Sequence, residues 1–270
     1  MANSNYKRQI IKDGLESVTR RWWFFLVIIL LGSTIPPYVP AGYDYSDWGN
    51  LLGSIFSQAI IVSWTDVYPI FKVIPIVLII CLVLLKNKVK RVFSIYVATS
   101  YVLFAIVQNI AITEEYGLGI ITGNVIMFVI VAAFWFWEAK VGKNDFTSTV
   151  RPAWRYWVIP LAFLAFWYPL NPDTMRPDFN PLYIVTSSAG LAFCMMTPVY
   201  LALLTLYYRT VNIATMRVTS LVGVIIAGYN IAVNFFFEPT LMWWNGVLHI
   251  PLLSISVYSL VLSLKKRPTE

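Results

Sequence analysis

The amino-acid sequence predicts an all-α fold: a polytopic membrane protein of eight transmembrane helices, arranged as two parallel four-helix repeats. Three observations predict it. The first is composition. Of 270 residues, 59% are hydrophobic and only 12% are charged, and mean hydropathy is +0.69, whereas a soluble domain carries roughly 25% charged residues. The second is the placement of charge. Eighteen of the twenty Lys and Arg residues fall into five clusters, at 7–21, 86–91, 140–155, 209–217 and 265–267. Between those clusters lie Asp44 and Asp47, then Glu114 and Glu115, then Asp173 and Asp178, then Glu238. Lys and Arg accumulate in cytoplasmic loops, so five basic stations separated by four acidic ones require an even number of crossings with both termini in the cytoplasm. The third is a series of apolar runs, at about 22–36, 50–85, 92–112, 117–137, 156–170, 181–208, 218–237 and 243–264. A helix needs ~20 residues, within a range of ~17 to 25, to cross the hydrocarbon core.

Residues 1–21 come first. Tyr6, Ile10, Ile11, Leu15 and Val18 recur at helical spacing, with Lys7, Arg8, Lys12, Asp13 and Glu16 on the other side, which predicts a cytoplasmic amphipathic helix over 5–20 lying in the interface. The first repeat occupies 22–138. Run one begins only after Arg21 and ends in Ile35-Pro36-Pro37 without a cleavage signal, so it is expected to remain as an anchor. Run two has 36 residues, too many for one helix and too few for three. Charge parity demands one crossing there. The surplus is either an interfacial piece before Trp64 or an extension beyond Lys72, with Pro69 and Pro75 permitting a bend. Lys72 is expected to snorkel toward the cytoplasmic headgroups. Runs three and four turn at Glu114, and Gly119 with Gly123 reads as a small-xxx-small packing pair.

A cytoplasmic linker at 139–154 leads to the second repeat, 155–270. Run five is short and ends at Pro169; run six is long and contains Thr186, Ser187, Ser188 and Pro198; runs seven and eight form a hairpin turning near Pro239 and Thr240. Aromatic residues such as Trp22, Trp23, Trp154, Trp157, Trp243 and Trp244 fall where helix ends should meet the headgroups.

The halves resemble each other at offsets of about 125–135 residues. Arg21-Trp22-Trp23 corresponds to Arg155-Tyr156-Trp157, Pro36 to Pro169, Asp47 to Asp178, Thr65-Asp66-Val67-Tyr68 to Thr197-Pro198-Val199-Tyr200, and Arg91-Val92-Phe93-Ser94 to Arg217-Val218-Thr219-Ser220. Four crossings per half make such a repeat parallel. In membrane proteins built this way, paired short or broken segments point to a ligand site between the repeats.

Ionisable and amide groups within apolar runs are costly unless partnered or wet, so each is a candidate. Asp66 stands in run two. Asn230, Asn234 and Glu238 follow one another at spacings of four in run seven, and Asn245 and His249 answer at the same spacing in run eight. These six are the expected substrate-binding residues, in the outer half of the membrane. Gln108, Asn109, Thr113, Glu114, Thr122 and Asn124 form a weaker counterpart in the first half. The pattern points to a small transporter or permeation protein for a cation or a neutral polar solute, in the cell membrane with lipid around it, since an acidic outer rim favours cations. The alternative is a membrane-embedded enzyme acting on a lipid or isoprenoid, with a buried carboxyl group as general acid; no catalytic residue can be assigned.

Several classes are not expected. Basic residues beside apolar spans serve orientation and anionic lipid, so nucleic acid is not an expected partner despite the net charge of +7. One histidine and two separated cysteines, Cys81 and Cys194, offer no metal or haem spacing and no disulfide framework. No phosphate-cradling glycine loop occurs. No cofactor is therefore expected.

Overall fold

A computed structural model describes residues 14–148 and 152–265. The chain is predominantly helical. α1 spans Trp22–Thr34, α2 Trp48–Ser57, α3 Tyr68–Leu85 and α4 Lys90–Val107. A β-hairpin follows, β1 Ile110–Thr113 paired antiparallel with β2 Gly117–Ile120. α5 spans Thr122–Val141, α6 Val158–Trp167, α7 Phe193–Leu206, α8 Ile213–Ala232 and α9 Pro239–Leu264.

Among the described residues, five helical stretches are long and apolar enough to cross a membrane: Thr65–Lys88, Lys90–Val107, Thr122–Val141, Ile213–Phe237 and Pro239–Leu264. A sixth arises if Tyr183–Leu191 and Phe193–Leu206, bent by 96° about Ala192, count as one span. α1 and α6 have 13 and 10 residues, or about 20 and 15 Å at 1.5 Å per residue.

Two antiparallel helix pairs, α4 with α5 and α8 with α9, form the centre, and α5 packs against α8. α1 lies on α5 and α8, while α7 is held by α6, α8 and α9. Aromatic rings fill the interior between the pairs. Phe93 meets Trp135, Phe146 and Tyr200 edge-on, and Phe128 stacks on Phe193 at 4.1 Å. Such pairs add to the burial of their area.

The basic stations meet at one end. Glu138, 1% exposed, accepts from the Asn144 N–H and the Asn212 amide, both at 2.7 Å. Lys90 donates to the Gly142 and Asn144 carbonyls at 2.8 and 2.9 Å. Arg217 ties three chain segments together, donating to Glu16 O, Thr19 Oγ1 and Ser263 O. Residues 142–148 are thereby packed against the helix ends and do not hang loose. At the opposite end α2 lays Leu51 and Ile55 on Ala111 and Ile121 of the hairpin segment, and Tyr116 donates to Asp47 at 2.8 Å. That bond, with one from Asn50, holds the Asp47 carboxyl below the usual carboxylate range.

The structure corrects several sequence expectations. The fold is not purely helical, because the hairpin turns what periodicity reads as the end of run three and the start of run four into strands. Gly119 therefore sits in a strand facing Ile55, and only Gly123 is helical, close to the Gly32 carbonyl of α1. The surplus of run two takes one of its two expected forms, a helical piece before Trp64: it is α2, separated from α3 by 3-10 turns at Ile60–Ser63 and Thr65–Val67. Most of the amphipathic helix expected over 5–20 lies outside the described residues; 14–18 are helical. Lys72 does not snorkel to the basic end. It occupies the second turn of α3, about 21 Å along the helix from Lys86, and is 0% exposed.

Candidate functional site

Three interruptions of helix gather near the end opposite the basic stations. α6 stops inside the protein, where Tyr168 adopts the left-handed conformation with φ 55°. The 183–206 segment bends at Ala192. α8 ends in a π-helical turn, Val233–Phe237, closed by the Glu238 N–H donating to Val233 O at 2.9 Å. Such turns are common at functional sites.

Side chains from these breaks converge. Asn245 donates to Asn234 Oδ1 at 2.9 Å and accepts from the Tyr168 hydroxyl at 3.1 Å. Asn234, 1% exposed, donates to Asn230 O at 2.6 Å. Asn230 donates to Ile226 O at 2.9 Å and lies 3.7 Å from Cys194 Sγ. His249 Nδ1 is 2.7 Å from Asn245 O. A carbonyl only accepts, so the ring hydrogen is on Nδ1 and Nε2 presents its lone pair. Among the described residues Nε2 has no hydrogen-bond partner. Gly246 lets the two helices approach, since a Cβ there would meet the Phe235 ring at 2.8 Å and Asn234 Cβ at 3.0 Å.

The first half reaches the same region by two residues. Gln108, at the end of α4, accepts from the Phe193 N–H at 2.7 Å and so caps α7 at its break. Lys72 donates to Phe166 O and, at 3.0 Å, to Ser187 Oγ. Ser187 in turn donates to Trp167 O at 3.3 Å. A Cβ on Gly190 would collide with the Phe71 carbonyl, so only glycine allows the 188–191 turn to lie against α3.

Four of the six sequence-predicted residues, Asn230, Asn234, Asn245 and His249, come together. Two do not. Asp66 is exposed in the 3-10 turn ahead of α3. Glu238 is exposed because the π turn inserts an extra residue, so a spacing of four no longer returns to the same face. The first-half counterpart is split in the same way: Asn109 and Asn124 bond to each other at 2.9 Å and close the hairpin, leaving Gln108 alone at the junction. Sequence reasoning missed Tyr168 and the role of Lys72, and named Ser187 only as one of the run-six hydroxyls. The available signals were a lysine in an apolar run with no carboxylate three or four residues away, and a tyrosine ahead of the proline that ends a short run.

Chemically the cluster is neutral amides, an imidazole, a phenol and a thiol, with one ammonium beside it. No carboxylate belongs to it. Among the described residues no group of three His, Cys, Asp or Glu side chains could hold a metal ion. No protein family, no curated protein and no solved structure matches this chain. What the fold defines is a helical protein with several segments suited to a membrane and a polar cluster at its helix breaks.

Proposed function

We propose that this chain is a small polytopic transporter or permeation protein for a cation or neutral polar solute, and that the solute binds among Asn230, Asn234, Asn245, His249 and Tyr168. One observation carries the reading: buried amides and a free imidazole nitrogen converge where three helices are broken, which is how membrane proteins expose backbone and side-chain dipoles to a passing solute.

In this proposal the chain crosses the cell membrane eight times, with α1 and α6 as short crossings and both termini cytoplasmic. Its support is that the basic stations meet at one end while the acidic loops lie toward the other. The parallel repeat finds support in element order. Each half runs from a short helix through a small outer helical piece to three longer helices, and α1 lies on α5 as α6 lies on α9.

The test is flux. In proteoliposomes carrying the full chain, Asn245→Ala and His249→Phe should each lower uptake of the transported solute at least tenfold, while Glu238→Gln and Asp66→Asn should leave it near wild type. Uptake undiminished in folded Asn245→Ala and His249→Phe rejects the site. The enzymatic alternative is not favoured by the acids it would use: Asp66 and Glu238 are exposed and stand apart from the cluster, and the buried Glu138 is held by Asn144 and Asn212 at the basic end, away from it.

A further inference from the structure

α6 ends in the interior with its last carbonyls, Phe166 and Trp167, at the negative end of the helix dipole. Ends of broken helices in membranes commonly meet a cation. Here the cation is part of the chain. The Lys72 ammonium donates to Phe166 O and to Ser187 Oγ and lies 3.9 Å over the Phe166 ring. It is fully buried, and among the described residues no carboxylate lies within ion-pair distance of it. A buried ammonium answered only by carbonyl dipoles, a hydroxyl and a ring face is poorly compensated.

The titratable groups on the surrounding elements are engaged elsewhere. On α3 and its leading turn, Tyr68 donates to Ile61 O and Asp66 is exposed. On the 183–191 segment, Tyr183 donates to Asp178 at 2.7 Å. Tyr168 at the end of α6 donates to Asn245, Cys194 of α7 lies against Asn230, and Tyr101 of α4 pairs with Thr197. The cation at the start of α4, Lys90, is tied to the basic end.

We propose that Lys72 is a proton-exchanging residue whose ammonium is the tethered occupant of a monovalent-cation site formed by the Phe166 and Trp167 carbonyls and the Ser187 hydroxyl. The exchange balances. Lys72 gives one proton to water and becomes a neutral amine; one sodium ion enters and is held by those oxygens, which are hard ligands suited to it. The charge at the helix end is unchanged. Ser187, which donates to Trp167 O when Lys72 is charged, turns its lone pair to the ion. This inference deepens the transport reading, on which it rests, by naming the ion to which solute movement is coupled.

The experiment is thermal unfolding of the full chain in detergent, in sodium chloride against choline chloride, below about pH 5 and above about pH 9, which bracket the range in which a fully buried lysine loses its proton. Wild type is expected to gain about 4 °C from sodium at the higher pH and nothing at the lower. Lys72→Ala, with the site vacated, should gain as much at both. Lys72→Met, which fills the space without charge, should respond at neither. No sodium response in wild type at either pH, an equal response at both, a response retained in Lys72→Met, or none in folded Lys72→Ala each overturns the proposal. If Lys72→Ala does not fold, wild type and Lys72→Met decide it. The readout does not depend on flux. A sodium response of the expected form, alongside unchanged uptake in Asn245→Ala, would reject the polar cluster and leave the ion site standing; the converse result would do the reverse.

Discussion

Asn245 illustrates how much one amide does at a helix break. It satisfies Asn234 Oδ1 and the Tyr168 hydroxyl together, so its loss orphans two groups, whereas loss of the Tyr168 hydroxyl removes one bond. Tyr168→Phe is expected to cost about 1 kcal/mol and Asn245→Ala about 2–3 kcal/mol, because unpaired polar atoms carry a desolvation penalty. The double variant should cost less than their sum, since the bond between them is counted twice. Chemical unfolding of the three variants checks this, and strict additivity would show that the bond contributes nothing. Gly190 makes a second residue-scale case. Gly190→Ala forces a methyl into the Phe71 carbonyl and should destabilise by about 1–3 kcal/mol, read as a fall in thermal midpoint; an unchanged midpoint would mean the 188–191 turn moves freely off α3.

Among elements, α8 shows how both ends of a helix are specified. Asn212 caps its start, accepting from the Ala214 and Thr215 N–H groups, and the same side chain donates to buried Glu138. Asn212→Ala should therefore cost more than the ~1 kcal/mol of an ordinary cap. Asn212→Asp keeps the cap but sets a second carboxylate against Glu138, and like charges at such a distance disfavour ionisation of both. It should be the less stable of the two at neutral pH and recover on mild acidification, a crossover visible in thermal midpoints. The loop between α5 and α6 adds a pH dependence of its own. Hydrogen bonds from the Thr147 side chain and backbone, and then from Asn87, hold the Asp145 carboxyl below the usual range. A depressed folded value contributes stability that is present above about pH 4 and lost as pH falls through the lowered value. Wild type should thus lose more of its thermal midpoint than Asp145→Asn on acidification below that point, and parallel curves would refute it. At the other end of α8 the π turn separates what the sequence suggests from what forms. Spacings of four at Asn230, Asn234 and Glu238 imply one face only for 3.6 residues per turn. The wider turn keeps Asn234 inside, turns Glu238 out, and leaves Phe236 and Phe237 78% and 76% exposed.

For the whole molecule, the proposed orientation rests on charge and can be tested by labelling. In a background lacking Cys81 and Cys194, a cysteine replacing Lys88 should resist a membrane-impermeant thiol reagent added outside intact cells, while one replacing Thr174 should react. Reaction at the Lys88 position reverses the proposed topology. Several of the long helices, the basic end and the pairing of runs seven and eight were legible in the sequence, because apolar composition over lengths of about 20 residues marks a candidate span and loop charge is not averaged by packing. The amide stripes were legible for the same reason, polar groups being rare in apolar runs. The hairpin was not, since Ile110–Thr113 and Gly117–Ile120 are too short for periodicity to tell strand from helix. Nor was Lys72: its surroundings come from residues 94 and 115 positions away, and no local pattern encodes contacts at such separation. By itself, then, the sequence determined that this is a predominantly helical protein with several stretches long and apolar enough to cross a membrane, with basic clusters gathered at one end and amides set within its apolar runs. Only the tertiary structure decided which polar groups meet, because that depends on where α6, the 183–206 segment and α8 break, and a break redirects a side chain by an angle no spacing rule contains.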